Sequence, residues 1–189
     1  MKYEDGELYH VYNRGAHKSR IFFGVDNYRF LVRLAEKYRA VNKTQILAYC
    51  FMPNHYHFLL RQAIGGSSSK FLQNSFNSYT QAVNLQQKHS GTLFQGRAKA
   101  NHVVTDLDAL IIARYIHLNP VSAHLVSSPD AWEFSDYRLW CGATVVSPDI
   151  MSLRGSEFKD GVEYAQFVLD RNLDLKNEVT TGLLGEEAQ

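Results

Sequence analysis

Apolar and polar positions alternate in some stretches of this 189-residue chain and recur at helical spacing in others. Strict alternation predicts β-strands, whereas apolar positions three or four residues apart predict amphipathic helices. Strand-like stretches occupy residues 7–15, 44–52, 54–62 and 92–104. Helical spacing occupies residues 25–41, 68–89 and 105–119.

Three local signals predict where these elements begin and end. Pro53 and Asn54 separate two strand-like stretches by a tight turn, which predicts an antiparallel hairpin. Thr105 is followed three residues later by Asp108, the spacing of a capping box at a helix N-terminus. Pro120 is expected to end the same helix, because a proline disfavours helical geometry in the residue before it.

The order strand, helix, strand, strand, helix, strand, helix predicts an α+β fold of the ferredoxin-like, split βαβ type. Its antiparallel sheet would carry two helices on one face. The last helix, 105–119, would be free to cover the other face and a site there. We expect a catalytic-type domain over residues 1–125 and, over 126–189, an extension packed on or near this core with a flexible end.

Composition favours a globular protein of the cytoplasm. Apolar residues make up 45% of the chain, yet no run of about 18 of them predicts a membrane helix. The first residues lack the apolar region of a secretory signal. Cys50 and Cys141 are too few for a disulfide framework, and Cys50 lies in an apolar run as a buried residue would.

Charge is distributed unevenly along the chain. Residues 1–120 contain 15 Lys and Arg against 7 Asp and Glu, whereas residues 121–189 contain 5 against 12. In the first part the basic residues are interleaved with aromatic and amide residues. Phosphates attract Lys and Arg, and unpaired bases stack on aromatic rings, so this pattern favours a polyanion such as nucleic acid.

The segment MPNHYHFLL at 52–60 is the most informative one for chemistry. On a strand, alternate side chains point to the same face, so His55 and His57 project together while Tyr56 and Phe58 face the other way. Two such imidazoles could supply half of a metal site. Taken alone, a pair of this kind more often consists of ordinary histidines.

A second segment, RYIHLNP at 114–120, raises the metal hypothesis. Tyr115 and Asn119 are four residues apart on a predicted helix and therefore share a face. A tyrosine hydroxyl can act as a nucleophile, and an amide oxygen can bind a hard divalent cation. With His55 and His57 as further ligands, these residues suit attack of Tyr115 on a phosphodiester, which would leave a 5′-phosphotyrosine and a free 3′-hydroxyl.

The chain resembles the HUH single-stranded-DNA transposases with one catalytic tyrosine, and most of all their REP-associated branch. The resemblance rests on four motifs in the family's order: HVYNRG near the start, MPNHYHFLL, LFQGRAKA and RYIHLNP. It implies a ferredoxin-like core, Mg²⁺ or Mn²⁺, and single-stranded hairpin DNA that is cleaved and rejoined. His55, His57 and Asn119 would be metal ligands and Tyr115 the nucleophile, although related transposases have glutamine at the position of Asn119.

Further residues are candidates for contacts with DNA. Arg14 and Asn13 belong to a segment that recurs near the DNA in this family, although a strand end with a turn glycine would give the same pattern. Arg97 and Lys99 are predicted to alternate with Gln95 on one face of a strand, as residues that follow phosphates do. A solvated edge strand is nearly as good an explanation.

The remaining histidines have weaker signals. His117 is predicted to be structural or to face DNA, His10 to be a core histidine, and His102 to lie near the site.

Three other functions compete with a transposase. A binding-only protein of the same fold is opposed by the intact set of His55, His57, Tyr115 and Asn119. A replication initiator or relaxase is opposed by the absence of a nucleotide-binding motif G-x-x-x-x-G-K-[ST]. An RNA-binding domain would carry aromatic residues instead of paired histidines on its central strands. A homodimer is possible, and no membrane partner is expected.

Overall fold

The computed structural model describes residues 2–142 and 147–170, which form four strands and six α-helices in the expected order. The strands are β1 (Leu8–Arg14), β2 (Thr44–Met52), β3 (His55–Gln62) and β4 (Lys99–Val103). The helices are α1 (Val25–Val41), α2 (Ser68–Gln87), α3 (Asp106–Ser122), α4 (Tyr137–Cys141), α5 (Pro148–Gly155) and α6 (Gly161–Leu169).

The strands form one antiparallel sheet in the order β2–β3–β1–β4. This order confirms the split βαβ, ferredoxin-like arrangement within an α+β fold. The central strands β1 and β3 are neighbours, and Tyr12 pairs with His57 while Arg14 pairs with His55. The predicted hairpin of β2 and β3 is also present, with Met52 opposite His55.

One face of the sheet packs against α1 and α2. Strand residues that alternate along β1 and β3 meet the apolar stripes of both helices in a single aromatic-rich core. Tyr56 stacks on Phe76 of α2 with ring centroids 4.1 Å apart. Other members of this core are Tyr9, Val11, Phe58, Leu60, Tyr28, Leu31, Phe71 and Tyr79.

Helix α3 covers the opposite face, as the sequence predicts, and α4, α5 and α6 pack around it. A second core contains Leu47, Cys50 and Leu59 from the sheet and residues of α3 such as Ile112 and Ile116. The extension also lies along the edge of β2, where Ser135 pairs with Cys50. Trp132 and Trp140 donate from their indole nitrogens to the carbonyls of Phe51 and Leu47 at 3.1 and 3.0 Å.

Three expectations from the sequence need correction. Pro120 does not end α3, which continues to Ser122; the turns close with Ala123 donating to Asn119 and Leu125 donating to Pro120. Because proline has no amide hydrogen, α3 lacks the hydrogen bond that residue 120 would otherwise donate one turn back, but the helix continues past this position for two more residues. Helix α6 spans Gly161–Leu169, a shorter stretch than the helical spacing of residues 157–172 suggests.

The third correction concerns the predicted strand 92–104, of which only Lys99–Val103 is strand. Two residues of β1, 13 and 14, lie between the Gly15–Phe94 bridge and the Tyr12–Lys99 pair. The segment that leads into β4 has four residues, 95–98, between the same two points. Two extra residues therefore bulge out of the sheet at this point.

The described residues contain no helix that is long and apolar enough to cross a bilayer. The predicted polar tail from about residue 177 lies outside the described residues. The division of the chain at residues 125 and 126 stays a prediction.

Candidate active site with two histidines and a tyrosine

His55 and His57 lie on the face of β3 that is covered by α3. Their ring centroids are 5.1 Å apart, and the rings are nearly perpendicular. Tyr56 and Phe58 point into the opposite core, so the alternation predicted from the sequence is present in the structure. Strand β3 is hydrogen-bonded to β2 on one side and to β1 on the other, so the backbone that carries both histidines is fixed on both sides.

His57 has one nitrogen that is paired and one that is not. Its side chain is fully buried, and its Nδ1 lies 3.0 Å from Nε2 of His10 on the neighbouring strand. Its Nε2 is buried without a hydrogen-bond partner among the described residues. In the tautomer with the proton on Nδ1, His57 donates to His10 and keeps a lone pair on Nε2. A buried nitrogen of this kind is suited to bind a metal ion.

His55 also has its Nδ1 paired, in this case with the residue that precedes β3. Its Nδ1 lies 2.7 Å from the amide oxygen of Asn54, which can only accept, so Nδ1 carries the proton of the neutral ring. Burial lowers the pKa of His55 to about 4; the side-chain hydrogen bond with Asn119 opposes this shift, and the charge of Arg14 adds to it. Burial also holds the pKa of His57 well below its usual value, with His10 and His55 adding to the effect. Both rings are therefore neutral at pH 7, as metal ligands must be.

Tyr115 and Asn119 face these histidines from α3. The Tyr115 ring meets the His57 ring edge-on at 5.4 Å and the His10 ring at 5.9 Å between centroids. Asn119 is hydrogen-bonded to His55, and its Nδ2 donates to the Tyr115 carbonyl at 2.9 Å. The four residues singled out from the sequence are thus brought together by one strand and one helix.

The donor set consists of two imidazole nitrogens and one amide oxygen. Within residues 2–142 and 147–170, no group of three or more His, Cys, Asp and Glu is arranged to hold a metal ion. A cation at this site would therefore depend on His55, His57 and the amide oxygen of Asn119. The amide oxygen is the kind of ligand that Mg²⁺ and Mn²⁺ prefer, whereas imidazole nitrogens bind transition metals more readily.

Arg14 lies at the edge of the same site. It is opposite His55 in the ladder, on the face of β1 that carries His10 and Tyr12. Its Nε donates to the side-chain oxygen of Gln95 in the bulge at 3.0 Å. Gly15 follows at a sharp turn, where a Cβ would lie 2.1 Å from the Ser19 carbonyl oxygen, so no larger residue fits without a backbone shift.

Asn13 and Arg97 share one surface, whereas Lys99 lies on the opposite face of the sheet. Lys99 lies on the site face, with its Nζ 5.9 Å from the centre of the Tyr12 ring. Arg97 lies in the bulge and lines a groove on the opposite face together with Asn13 and Tyr56. The expectation that Arg97 and Lys99 alternate on one face of a strand is therefore wrong, because the two extra residues of the bulge interrupt the strand before Lys99.

His117 and His102 both lie away from the candidate site. His117 is fully buried, with Nδ1 2.7 Å from the Tyr164 hydroxyl and Nε2 3.0 Å from a carboxylate oxygen of Asp136, so it is structural and cannot face DNA. His102 pairs with Glu7 beside Tyr9, on the other face of the sheet, and does not lie near the site.

His10 is the residue beside the candidate site that the sequence did not single out. It is the hydrogen-bond partner of a proposed ligand, the position from which neighbouring groups orient metal-binding histidines. His10 alternates with Tyr12 on β1, and this is a usable signal only when β1 is known to lie beside β3. The register that places His10 diagonally across from His57 was needed to complete the inference.

Comparisons with known proteins show a shared fold. No protein-family model matches the chain, and no curated protein matches it in sequence. A solved structure of the REP-associated tyrosine transposase bound to a REP hairpin is similar, with a TM-score of 0.63 and 18% identity over 73% of this chain and 81% of that chain. A candidate transposase from Deinococcus radiodurans R1 gives a TM-score of 0.43 and 17% identity, over 61% of this chain and 95% of that one, a likeness too distant to support an argument.

The first likeness agrees with the fold expected from the motifs, that of the REP-associated tyrosine transposases. At 18% identity it concerns the fold alone.

Proposed function

We propose that this chain is a transposase that cleaves and rejoins single-stranded hairpin DNA through a covalent bond to Tyr115. One observation carries the proposal: a tyrosine on α3 faces a buried histidine whose Nε2 has no hydrogen-bond partner within the described part of the chain, with a second histidine and an amide beside them. The fold shared with a tyrosine transposase solved with a REP hairpin supports the same reading.

The chemistry assigns a role to each side chain. The Tyr115 oxygen attacks the phosphorus, an O–P bond forms, and the bond from phosphorus to the 3′-oxygen breaks. The tyrosine proton is lost, and the departing 3′-oxygen gains one. The energy of the phosphodiester is kept in the tyrosyl ester, so attack by a 3′-hydroxyl restores a DNA strand and frees the tyrosine.

His55, His57 and Asn119 would hold Mg²⁺ or Mn²⁺ beside Tyr115. When bound, such an ion supplies positive charge that stabilises the phosphoryl oxygens in the transition state. Arg14 adds a fixed positive charge at the edge of the same site, where a phosphate can be held in register with the tyrosine.

The decisive experiment is a covalent-adduct assay. Purified protein is mixed with 3′-labelled DNA hairpins that have randomised single-stranded flanks, in Mg²⁺, in Mn²⁺ or in chelator, and is run on a denaturing protein gel. We expect label to migrate with the protein only when metal is present. Tyr115→Phe should abolish the adduct, whereas Tyr38→Phe, which alters a tyrosine of α1 on the other side of the sheet, should retain it.

The alternative is a non-cleaving protein of the same fold that binds or regulates hairpin DNA. Hairpin binding without any adduct, under all three ionic conditions, would establish that alternative and refute the transposase.

A further inference from the structure

The tight turn between β2 and β3 is held by the loop that follows β1. The Gly15 amide donates to the Asn54 carbonyl at 2.8 Å, and the amides of Ile21 and Phe22 donate to the Pro53 carbonyl at 2.9 and 3.2 Å. All of these hydrogen bonds join backbone atoms, so they fix the course of the turn whatever side chain residue 54 carries. The Asn54 side chain is therefore not needed to form the turn, and its own contacts have another purpose.

The Asn54 side chain bridges this loop and the candidate site. Its Nδ2 donates to the Lys18 carbonyl at 3.3 Å, and its Oδ1 lies 2.7 Å from Nδ1 of His55. The carbonyl of Lys18 can only accept, so the amide nitrogen of Asn54 faces Lys18 and the amide oxygen faces His55. That oxygen accepts the proton of His55 Nδ1, which leaves the lone pair of the neutral ring on Nε2.

The loop that anchors Asn54 has an unusual backbone. His17 and Lys18 have φ angles of 56° and 59°, in the left-handed region that residues with a side chain rarely adopt. The Lys18 amide donates to the Gly15 carbonyl at 3.0 Å, while the Lys18 carbonyl accepts from Asn54. Backbone of this kind persists only where the surroundings hold it, and it is concentrated at functional sites. The acceptor for the Asn54 amide thus belongs to a constrained segment.

Asn54 has the same place behind His55 that His10 has behind His57. His57 Nδ1 lies 3.0 Å from Nε2 of His10, so both histidines of β3 use Nδ1 for a contact with a neighbouring side chain. Histidines that bind metals almost always have such a partner, which sets the tautomer and the orientation of the ring. Two rings prepared in the same way on one strand indicate ligands that are arranged before an ion arrives.

We propose that Asn54 is a positioning residue of the candidate metal site. Its amide oxygen holds His55 in the tautomer with the proton on Nδ1, so that Nε2 is available to the ion, and the Lys18 carbonyl holds the amide in turn. The inference rests on the proposed function for the role of His55 as a metal ligand. It gives the Pro53–Asn54 turn a task beyond joining two strands, and it requires no contact of Asn54 with the ion or with DNA.

The first test observes the His55 tautomer without metal, DNA or activity. Long-range ¹H–¹⁵N correlation spectra of the metal-free protein at pH 8 distinguish the two neutral tautomers, and the His55 signals are identified by their loss in His55→Gln. We expect the proton on Nδ1 in the wild-type protein. Asn54→Ala removes the acceptor for this proton, so part or all of the population should change to the Nε2-protonated form.

The second test measures Mn²⁺ affinity at pH 8 by electron paramagnetic resonance of the free ion. Asn54→Ala should weaken Mn²⁺ binding by about 10–100-fold, the loss typical when the partner of a metal-binding histidine is removed. Asn54→Asp keeps an oxygen acceptor for His55 but loses the donor to the Lys18 carbonyl, so it should keep the wild-type tautomer and bind Mn²⁺ far more tightly than Asn54→Ala. An effect through His55 separates these two variants, whereas an effect through the loop makes them equally weak.

Asn84→Ala is the matched control. Asn84 lies on α2, on the other face of the sheet, and its Nδ2 also donates to a loop carbonyl, that of Gly91 at 3.0 Å. This substitution removes a comparable hydrogen bond and should leave the His55 tautomer and the Mn²⁺ affinity unchanged. Thermal unfolding of each variant verifies that the fold is retained.

Several results would overturn the inference. They are a wild-type His55 with its proton on Nε2, an unchanged tautomer or an unchanged Mn²⁺ affinity in Asn54→Ala, equal losses in Asn54→Asp and Asn54→Ala, and no Mn²⁺ binding by the wild-type protein. The first of these needs no Asn54 variant, so the inference stays testable even if a substitution prevents folding.

The result is also separable from the transposase proposal. Changes of tautomer and Mn²⁺ affinity in Asn54→Ala, without any covalent adduct in the wild-type protein, keep the role of Asn54 and refute cleavage. A metal-dependent adduct with no effect of Asn54→Ala on the tautomer does the opposite.

Discussion

At the scale of single residues, the candidate site depends on one histidine that contacts another. His10 fixes the ring of His57 through the 3.0 Å contact between Nε2 and Nδ1, and this leaves the second nitrogen of His57 facing the site. Groups behind a metal ligand orient it and set which nitrogen carries the proton. His10 should therefore matter for metal binding even though it need not touch the ion.

Replacing His10 tests this role directly. His10→Phe removes the acceptor behind His57 and should weaken Mn²⁺ binding by about 10–100-fold. His10→Gln keeps a polar group at a similar reach and should lie closer to the wild-type protein. Electron paramagnetic resonance of free Mn²⁺ in a titration gives the affinities without any DNA. Equal affinity in His10→Phe and the wild-type protein would show that His10 is only a core residue.

At the scale of elements, α3 shows what a sequence pattern can and cannot predict. The spacing of Tyr115 and Asn119 correctly placed both on one face, and Thr105 caps the helix by accepting from the Asp108 amide at 3.0 Å. The apolar residues of α3 do not form a single buried stripe, since Leu107 is 56% exposed while Ile112 is fully buried. The helix is enclosed by the sheet on one side and by α4–α6 on the other, so periodicity could not identify a single buried face.

The bulge before β4 illustrates a second limit. Residues 92–98 have strand-like composition, in which Gly96 is a local sign of a bulge but does not show that two residues leave the ladder. The looped-out residues are bound by the neighbouring strand β1, whose Asn13 and Arg14 donate side-chain hydrogen bonds to them. Pairing of this kind depends on tertiary structure. The face of the sheet on which Arg97 lies depends on this pairing, so it could not be predicted from the local sequence.

The extension is joined to α3 by a buried polar link that a single substitution can break. Tyr164 of α6 contacts Nδ1 of His117 at 2.7 Å, and Asp136 contacts Nε2 and also accepts from the Tyr49 amide at 2.8 Å. Tyr164→Phe leaves His117 with an unpaired nitrogen and should cost about 1–3 kcal/mol in the free energy of unfolding. Urea denaturation measures this loss.

Tyr38→Phe is the matched control for that substitution. It removes a hydroxyl that contacts Ser78 at 3.3 Å between α1 and α2, in a partly buried place, and should cost less than about 1 kcal/mol. If both variants lose the same stability, the link through His117 is no stronger than an ordinary half-exposed hydrogen bond.

At the scale of the whole molecule, the tyrosines of the core make stability depend on alkaline pH. Burial raises the pKa of Tyr28 to about 12, and it also raises the pKa values of Tyr49 and Tyr79 above their ordinary range. Between pH 10 and 12 the unfolded chain loses these protons while the folded chain keeps them. Stability contributed by the neutral hydroxyls is therefore complete below about pH 10 and is lost as pH rises towards the folded pKa.

Urea denaturation between pH 8 and 12 should show a flat stability followed by a decline above about pH 10. Tyr28→Phe removes one ionisable group from the core in which Tyr28 stacks between Phe22 and Phe134. In this variant the slope of the unfolding free energy against pH should be smaller by the contribution of one proton. An unchanged slope would mean that Tyr28 ionises as easily in the folded protein as in the unfolded chain.

The extension also completes the fold, because it covers surfaces that the ferredoxin-like core leaves open. Strand β2 is an edge of the sheet, and unpaired edge groups promote association with other chains. The extension occupies this edge through the Cys50–Ser135 bridge and through the amide of Phe51, which donates to the Phe134 carbonyl at 2.9 Å. Trp140 and Tyr164, both fully buried, fill the space beside α3.

A chain cut after residue 125 should therefore lose more than an appendage. It would expose the outer side of α3, leave His117 without both partners, and open the edge of β2. We expect this fragment to lose the cooperative urea transition and the near-ultraviolet circular dichroism of the full chain, and to bind a hydrophobic dye, because the apolar side of α3 has no other cover. If the fragment instead unfolds cooperatively, with a stability within about 1 kcal/mol of the full chain, then residues 1–125 are a domain that needs no extension. In that case the contacts through Trp140 and His117 serve to attach the extension, and the position of Tyr115 is set by the sheet alone.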